Sequence, residues 1–162
     1  MYPKISWPNN KKFAFTIFDD TDGANLRDNK LVYDYLDELG FKTTKSVWVS
    51  QGKNKSIEAG ITCEDKEYLN WLTSLKEKGF EIGYHNTTFN SSKRKEIDDG
   101  LQKFKRFFNH YPITMANHYD NKENIYWGSN RLTGFQKTIY NILTRFKWKN
   151  YYQGHDEQSS FF

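Results

Sequence analysis

Cysteine is nearly absent from this chain. Cys63 is the only one among 162 residues, so no intramolecular disulfide can form. It follows the β-branched pair Ile61-Thr62 and precedes an acidic helix start, a setting that predicts an inert, buried or half-buried thiol. Long hydrophobic runs are missing too. Nothing approaches the length of a membrane span, and the opening residues Met1-Tyr2-Pro3-Lys4-Ile5-Ser6-Trp7 lack a signal-peptide core. A cytoplasmic protein without a membrane span is therefore expected. No basic run is long enough for a nucleic-acid arm: the clusters at Lys53 to Lys55 and Lys93 to Lys95 are short and read as solvated. A net charge of +4 and a pI of about 9.0 permit an anionic polymer as partner without demanding one. No nucleic-acid partner is expected. Internal repeats and low-complexity segments are absent as well.

Aromatics, by contrast, are plentiful. Phe, Trp and Tyr make up 18% of the residues, more than a core of this size needs, and some suit a stacking surface for sugars or bases. The length fits one domain over 1–162. The densest signal is Ile17-Phe18-Asp19-Asp20-Thr21-Asp22, which closes the apolar run Phe13–Phe18 with three carboxylates before Gly23. A short apolar run with polar bounds predicts a buried strand. Adjacent carboxylates repel, and they are stable together only if solvated, protonated or bound to a cation. A strand that delivers them to one point suggests a metal or acid/base site.

Apolar periodicity predicts four helices. Leu31, Val32, Tyr35, Leu36 and Leu39 form a stripe that stops at Gly40. Thr62-Cys63-Glu64-Asp65 resembles a capping box ahead of Tyr68, Leu69, Leu72 and Leu75. A third helix from Ser91 or Ser92 carries Ile97, Leu101, Phe104 and Phe108, with Pro112 beyond its end. A fourth follows Thr133 with Phe135, Ile139, Ile142, Leu143 and Phe146. Strands are predicted at Phe13–Phe18, Ser46–Ser50, Phe80–His85, Thr114–His118 and, weakest, Lys149–Gln153. Such alternation argues for βαβ units and a parallel sheet, hence an α/β fold. Right-handed crossovers place the C-terminal ends of all strands on one side. Asp19 and Asp20, His85, His118 and His155 each stand at one of those ends, and imidazole with carboxylate suits zinc or a similar divalent ion. The irregular stretch His118–Leu132 reads as a lid or substrate loop.

Phe15-Thr16-Ile17-Phe18-Asp19-Asp20 resembles the first motif of polysaccharide deacetylases, Thr-Phe-Asp-Asp. Glu81-Ile82-Gly83-Tyr84-His85-Asn86-Thr87 is similar to their second motif. The order of the two, and a separation of about 65 residues, fit as well. The resemblance implies a partial or distorted (β/α) barrel, with Asp19 as general base and Asp20 and His85 as metal ligands. It departs from the pattern at Phe89, where the family usually has a second histidine. The arginine of the third motif and the terminal Leu-x-x-His are also missing. His118 is a candidate to replace the lost ligand, which gives Asp20, His85 and His118.

The expected chemistry is metal-assisted hydrolysis of an acetylated amino sugar in a polysaccharide or glycan precursor. His155 is the candidate proton donor, and Tyr119, Tyr126 and Trp127 are candidates for stacking on the sugar. Asp20-Thr21-Asp22-Gly23 also looks like the first motif of haloacid-dehalogenase-like phosphatases, although their late acidic pair would here be Asp98-Asp99, inside a predicted helix. A degenerate, non-catalytic carbohydrate-binding or assembly protein is the other reading. Five strands are few for a deacetylase barrel. A longer native chain, or pairing into a homo-oligomer, is therefore expected to complete the sheet.

Overall fold

A computed structural model describes residues 6–119, 121–124 and 129–144. Strands and helices alternate as expected: β1 (Phe18–Asp19), α1 (Leu26–Glu38), β2 (Thr44–Val47), α2 (Lys66–Glu77), β3 (Glu81–Tyr84), α3 (Arg94–Phe108) and α4 (Gly134–Leu143). The three strands form one parallel sheet in the order β1-β2-β3. Residues 114–116 lie along the free side of β3, through Tyr84 N–H to Thr114 O at 3.0 Å and Ala116 N–H to Tyr84 O at 3.0 Å. This is where the fourth strand was predicted, reduced to a single bridge. The fold is thus mixed α/β with a parallel sheet. Among the described residues the sheet is open and no barrel closes. The predicted strand Lys149–Gln153 and Phe146 lie outside the described residues.

Caps explain where the helices start and stop. Asn25 Oδ1 accepts from Asp28 N at 2.9 Å, and Asp65 Oδ1 from Tyr68 N at 2.9 Å, each satisfying an orphan donor of a first turn. The acceptor at α2 is Asp65, with Thr62 making only a local turn to Glu64 N. α3 begins later than predicted, with Lys93 N–H donating to Glu96 at 2.7 Å. It ends on Asn109, which takes the left-handed conformation with φ 64°.

Strand alternation sorts the side chains into two sets. Val47 and Val49 join Ile82, Tyr84 and the inner faces of α2 and α3 in the core, with Trp71, Leu72, Leu75, Phe104 and Phe108. Residues between them face the other way, among them Trp48. Cys63 is buried as expected, and burial pushes its thiol well up from the usual range.

Three predicted apolar faces are corrected. Phe13 and Phe15 are each 75% exposed and Ile17 is exposed too, so the run before Asp19 is not a buried strand. β1 is an edge that pairs only with β2, over two residues, and among the described residues nothing covers the run. In α1 the stripe Leu31, Val32, Tyr35 and Leu39 faces solvent. The core instead takes Tyr33, with Leu26 and Leu36 beside it, because Tyr33 packs edge-on against Trp71 and Phe80 at 5.6 and 5.2 Å between ring centroids. Phe135, Ile139, Ile142 and Leu143 of α4 are likewise exposed. In α2 and α3 the predicted faces are inward, with Leu69 only partly buried.

The loop after β1 is buttressed from behind. Gly23 N–H donates to Glu58 O at 2.9 Å and Ile61 N–H to Ala24 O at 2.8 Å. A Cβ at Gly60 would stand 2.7 Å from Ala24 N and 2.9 Å from Thr21 O, both backbone atoms. Gly60→Ala is therefore expected to cost about 1–3 kcal/mol, the usual range for forced overpacking. A denaturant midpoint equal to that of the parent protein would show that the loop shifts freely.

Candidate metal centre

The C-terminal ends of β1 and β3 bring the predicted polar groups together. His85 directly follows β3, and Asp20 directly follows β1. His85 Nε2 lies 3.2 Å from Asp20 Oδ1 and 3.5 Å from Asp22 Oδ1. His118 Nε2 lies 3.5 Å from Asp22 Oδ2. Ligand atoms of Asp20, Asp22 and His85 all fall within 4.8 Å of one another. Of the predicted ligands Asp20, His85 and His118, the first two fall in this group, and His118 meets it at Asp22. Asp22, whose only predicted part was in the phosphatase reading, stands between the two imidazoles. Asp20 Oδ1 also accepts from Asp22 N at 3.3 Å, a local turn that aims both carboxylates into one place.

The imidazoles are held by their far nitrogens. His85 Nδ1 is 3.1 Å from Ala116 O. A carbonyl only accepts, so Nδ1 carries the proton and donates, leaving a bare lone pair on Nε2. His118 Nδ1 is 3.1 Å from Asn121 Oδ1, and the amide nitrogen of Asn121 is committed as donor to Thr88 O, Asn90 O and Glu123 Oε1. His118 therefore presents Nε2 in the same way. Both Nε2 atoms, and Asp22 Oδ1, are buried without a hydrogen-bond partner among the described residues. Two imidazole lone pairs facing carboxylate oxygens repel unless a cation or a proton lies between them.

Burial lowers the pKa of His85 against the pull of Asp20 and Asp22, which favours the uncharged ring that can coordinate. Burial first, and then Asp20, raise the pKa of Asp22. Imidazole nitrogens with carboxylate oxygens are the donors of zinc and similar divalent ions. The residues present fit such an ion, whose identity they leave open. Trp48 walls the inner side, its ring 4.5 Å from that of His85 and 5.3 Å from that of His118.

Asp19 stays outside the cluster. Successive strand residues point to opposite sides, so Asp19 turns to Lys45 and Tyr33 while Asp20 turns to His85. Lys45 Nζ is 2.7 Å from Asp19 Oδ2, and Tyr33 Oη donates to the same oxygen at 3.0 Å. The Lys45 side chain is 0% exposed. Its burial lowers its pKa, and Asp19 opposes that shift. Lys45 was missed because the predicted strand began at Ser46; a charge inside an apolar strand was the available signal. Phe89, where a further histidine was sought, is buried with its ring 6.2 Å from that of Trp48. Tyr119 lies beside His118 at 5.0 Å between ring centroids, is exposed, and donates to Glu58 at 3.3 Å. His155, Tyr126 and Trp127 lie outside the described residues.

No protein-family model matches the chain, and neither curated proteins nor solved structures give a match.

Proposed function

We propose that the chain is a metal-dependent hydrolase, with zinc as its ion, that removes acetyl groups from N-acetylated sugars of a polysaccharide or glycan precursor. The observation that carries this reading is the pair of buried imidazoles, each tied at Nδ1 and turned at Nε2 toward Asp20 and Asp22. The likeness of the segments ending in Asp20 and in Thr87 to the two deacetylase motifs supplies the substrate class. Asp98 and Asp99 lie within α3, away from a strand end, which weighs against the phosphatase reading.

Asp20, Asp22, His85 and His118 hold the ion. A divalent ion there supplies Lewis-acid polarisation of a carbonyl and a water of lowered pKa. Asp19 is assigned as proton acceptor by the motif resemblance alone, since Lys45 and Tyr33 hold its Oδ2 on the side of β1 away from the imidazoles. Trp48 keeps bulk water from the inner side of the imidazoles. His155 is the donor to the leaving amine. A cleft of about 320 Å³ opens past the ends of β2 and β3, where Ser50, Thr87, Thr88 and Asn90 stand with the charged Lys53, Glu96, Asp99, Lys103 and Arg106, and none of the four candidate ligands lines it. Such a lining suits the hydroxyls of a sugar ring, and exposed Tyr119 offers a stacking face.

Elemental analysis of purified protein, followed by acetate release from acetylated chito-oligosaccharides, tests the proposal. One equivalent of zinc and measurable turnover are expected, with Asp19→Asn abolishing turnover but keeping the metal. Zinc-free protein that binds the oligosaccharide without cleaving it would instead make this a carbohydrate-binding protein.

A further inference from the structure

Glu123 is a carboxylate 1% exposed, and among the described residues no Lys or Arg pairs with it. Its partners are all neutral donors. Oε1 accepts from Asn86 Nδ2 at 3.2 Å and from Asn121 Nδ2 at 3.0 Å, and Oε2 accepts from Ser92 N at 3.1 Å. Each of the two amides goes on to a histidine segment of the metal centre. Asn121 Oδ1 accepts from His118 Nδ1–H at 3.1 Å, and Asn86 Oδ1 accepts from His118 N at 3.0 Å. Asn86 also follows His85 directly and has φ 58°, a left-handed conformation that a non-glycine residue keeps only where its surroundings enforce it. Asn124 Nδ2 adds a bond to His118 O at 3.0 Å.

We propose that Glu123 is a positioning residue of the metal centre, which fixes the orientation and donor strength of His118 through Asn121 and its distance from His85 through Asn86. The inference rests on the metal reading of the cluster. A histidine bound to a cation donates more strongly from its other nitrogen, and a hydrogen-bonded chain ending on a carboxylate stabilises that polarisation. Glu123 ends this chain. Burial raises the pKa of Glu123, and a cation one layer in front of it opposes that shift and favours the carboxylate. A carboxylate kept only to pin the loop would gain nothing from lying two bonds behind an imidazole.

The test is calorimetric titration of metal-free protein with zinc, together with the visible spectrum of the cobalt-substituted protein. Glu123→Gln keeps the size but puts an amide where three donors now meet carboxylate oxygens. It is expected to weaken zinc binding by about 10–100-fold, the usual effect of outer partners, and to change the cobalt bands. Asn121→Ala removes the relay together with the bonds to Thr88 O and Asn90 O and is expected to act in the same direction, which keeps the test open if Glu123→Gln folds poorly. The double variant should be no worse than the more damaging single one. Parent protein that binds zinc, with both variants within about twofold and with unchanged cobalt bands, would overturn the inference. Parent protein that takes no zinc would overturn it one step earlier, together with the metal reading.

Discussion

Asp19→Ala is expected to lower the free energy of unfolding by about 3–5 kcal/mol, the cost of leaving one partner of a buried ion pair alone. The stranded group is Lys45, whose side chain has no exposed surface. Lys45→Met should cost much less, because Asp19 keeps 32% of its side-chain surface exposed and can solvate. The loss should also depend on pH in a defined direction. Lys45 has a folded pKa below its ordinary 10.5, and removing Asp19 lowers it further. Between the folded value and 10.5 the unfolded chain binds the extra proton, so stability rises with pH. The deficit of Asp19→Ala should therefore narrow in alkaline solution. Urea denaturation at neutral and alkaline pH measures both. A deficit below about 1 kcal/mol, or one that widens as pH rises, would mean that Lys45 does not depend on Asp19.

His85→Ala is expected to abolish measurable zinc binding, a loss beyond the roughly 100-fold that outer partners produce. Zinc at about 100 times its dissociation constant stabilises a protein by about 2.7 kcal/mol, and His85→Ala should melt at the same temperature with and without it. His118→Ala should retain weak binding, since the group of three within mutual reach is Asp20, Asp22 and His85. Coordination displaces protons from ligands that carry them, so affinity should fall as pH falls. A His85→Ala protein that titrates like its parent would place the ion elsewhere.

The alternation of elements was legible because α2 and α3 carry full apolar stripes whose Leu72, Leu75, Phe104 and Phe108 meet the sheet. His85 was legible because it stands one residue past β3, which the local pattern located; Asp20 was legible from its carboxylate neighbours, although the apolar run before it is exposed. What escaped depends on what an element packs against. Of the α1 stripe only Leu36 packs on the core, because the helix turns Tyr33, a polar aromatic, inward to Asp19 and to the rings of Trp71 and Phe80. Lys45 reads as a solvent-facing charge until Asp19 is known to lie opposite. Glu123 and Asn121 sit in an irregular loop, where no periodicity links them to His118 and only tertiary contact does. Asp22 could have been included from its spacing, as an acid two residues past Asp20 in a turn.

β1 is two residues long, and each of them sends its neighbour's side chain the other way. Its alignment beside β2 is pinned by Thr44 N–H to Ile17 O at 3.0 Å and by the Ser46 hydroxyl to Asp19 O. A deletion or insertion of a single residue between Ile17 and Asp19 would rotate the ribbon by half a turn. A deletion would set Asp20 beside Lys45 and leave Thr21 at the histidine, whereas an insertion would set Asp19 at the histidine and leave Lys45 without its carboxylate. Either way one of the two carboxylate seats is emptied. The length of this stretch is thus under tighter constraint than its composition, and random indels there should be far more damaging than exchanges among Phe13, Phe15 and Ile17.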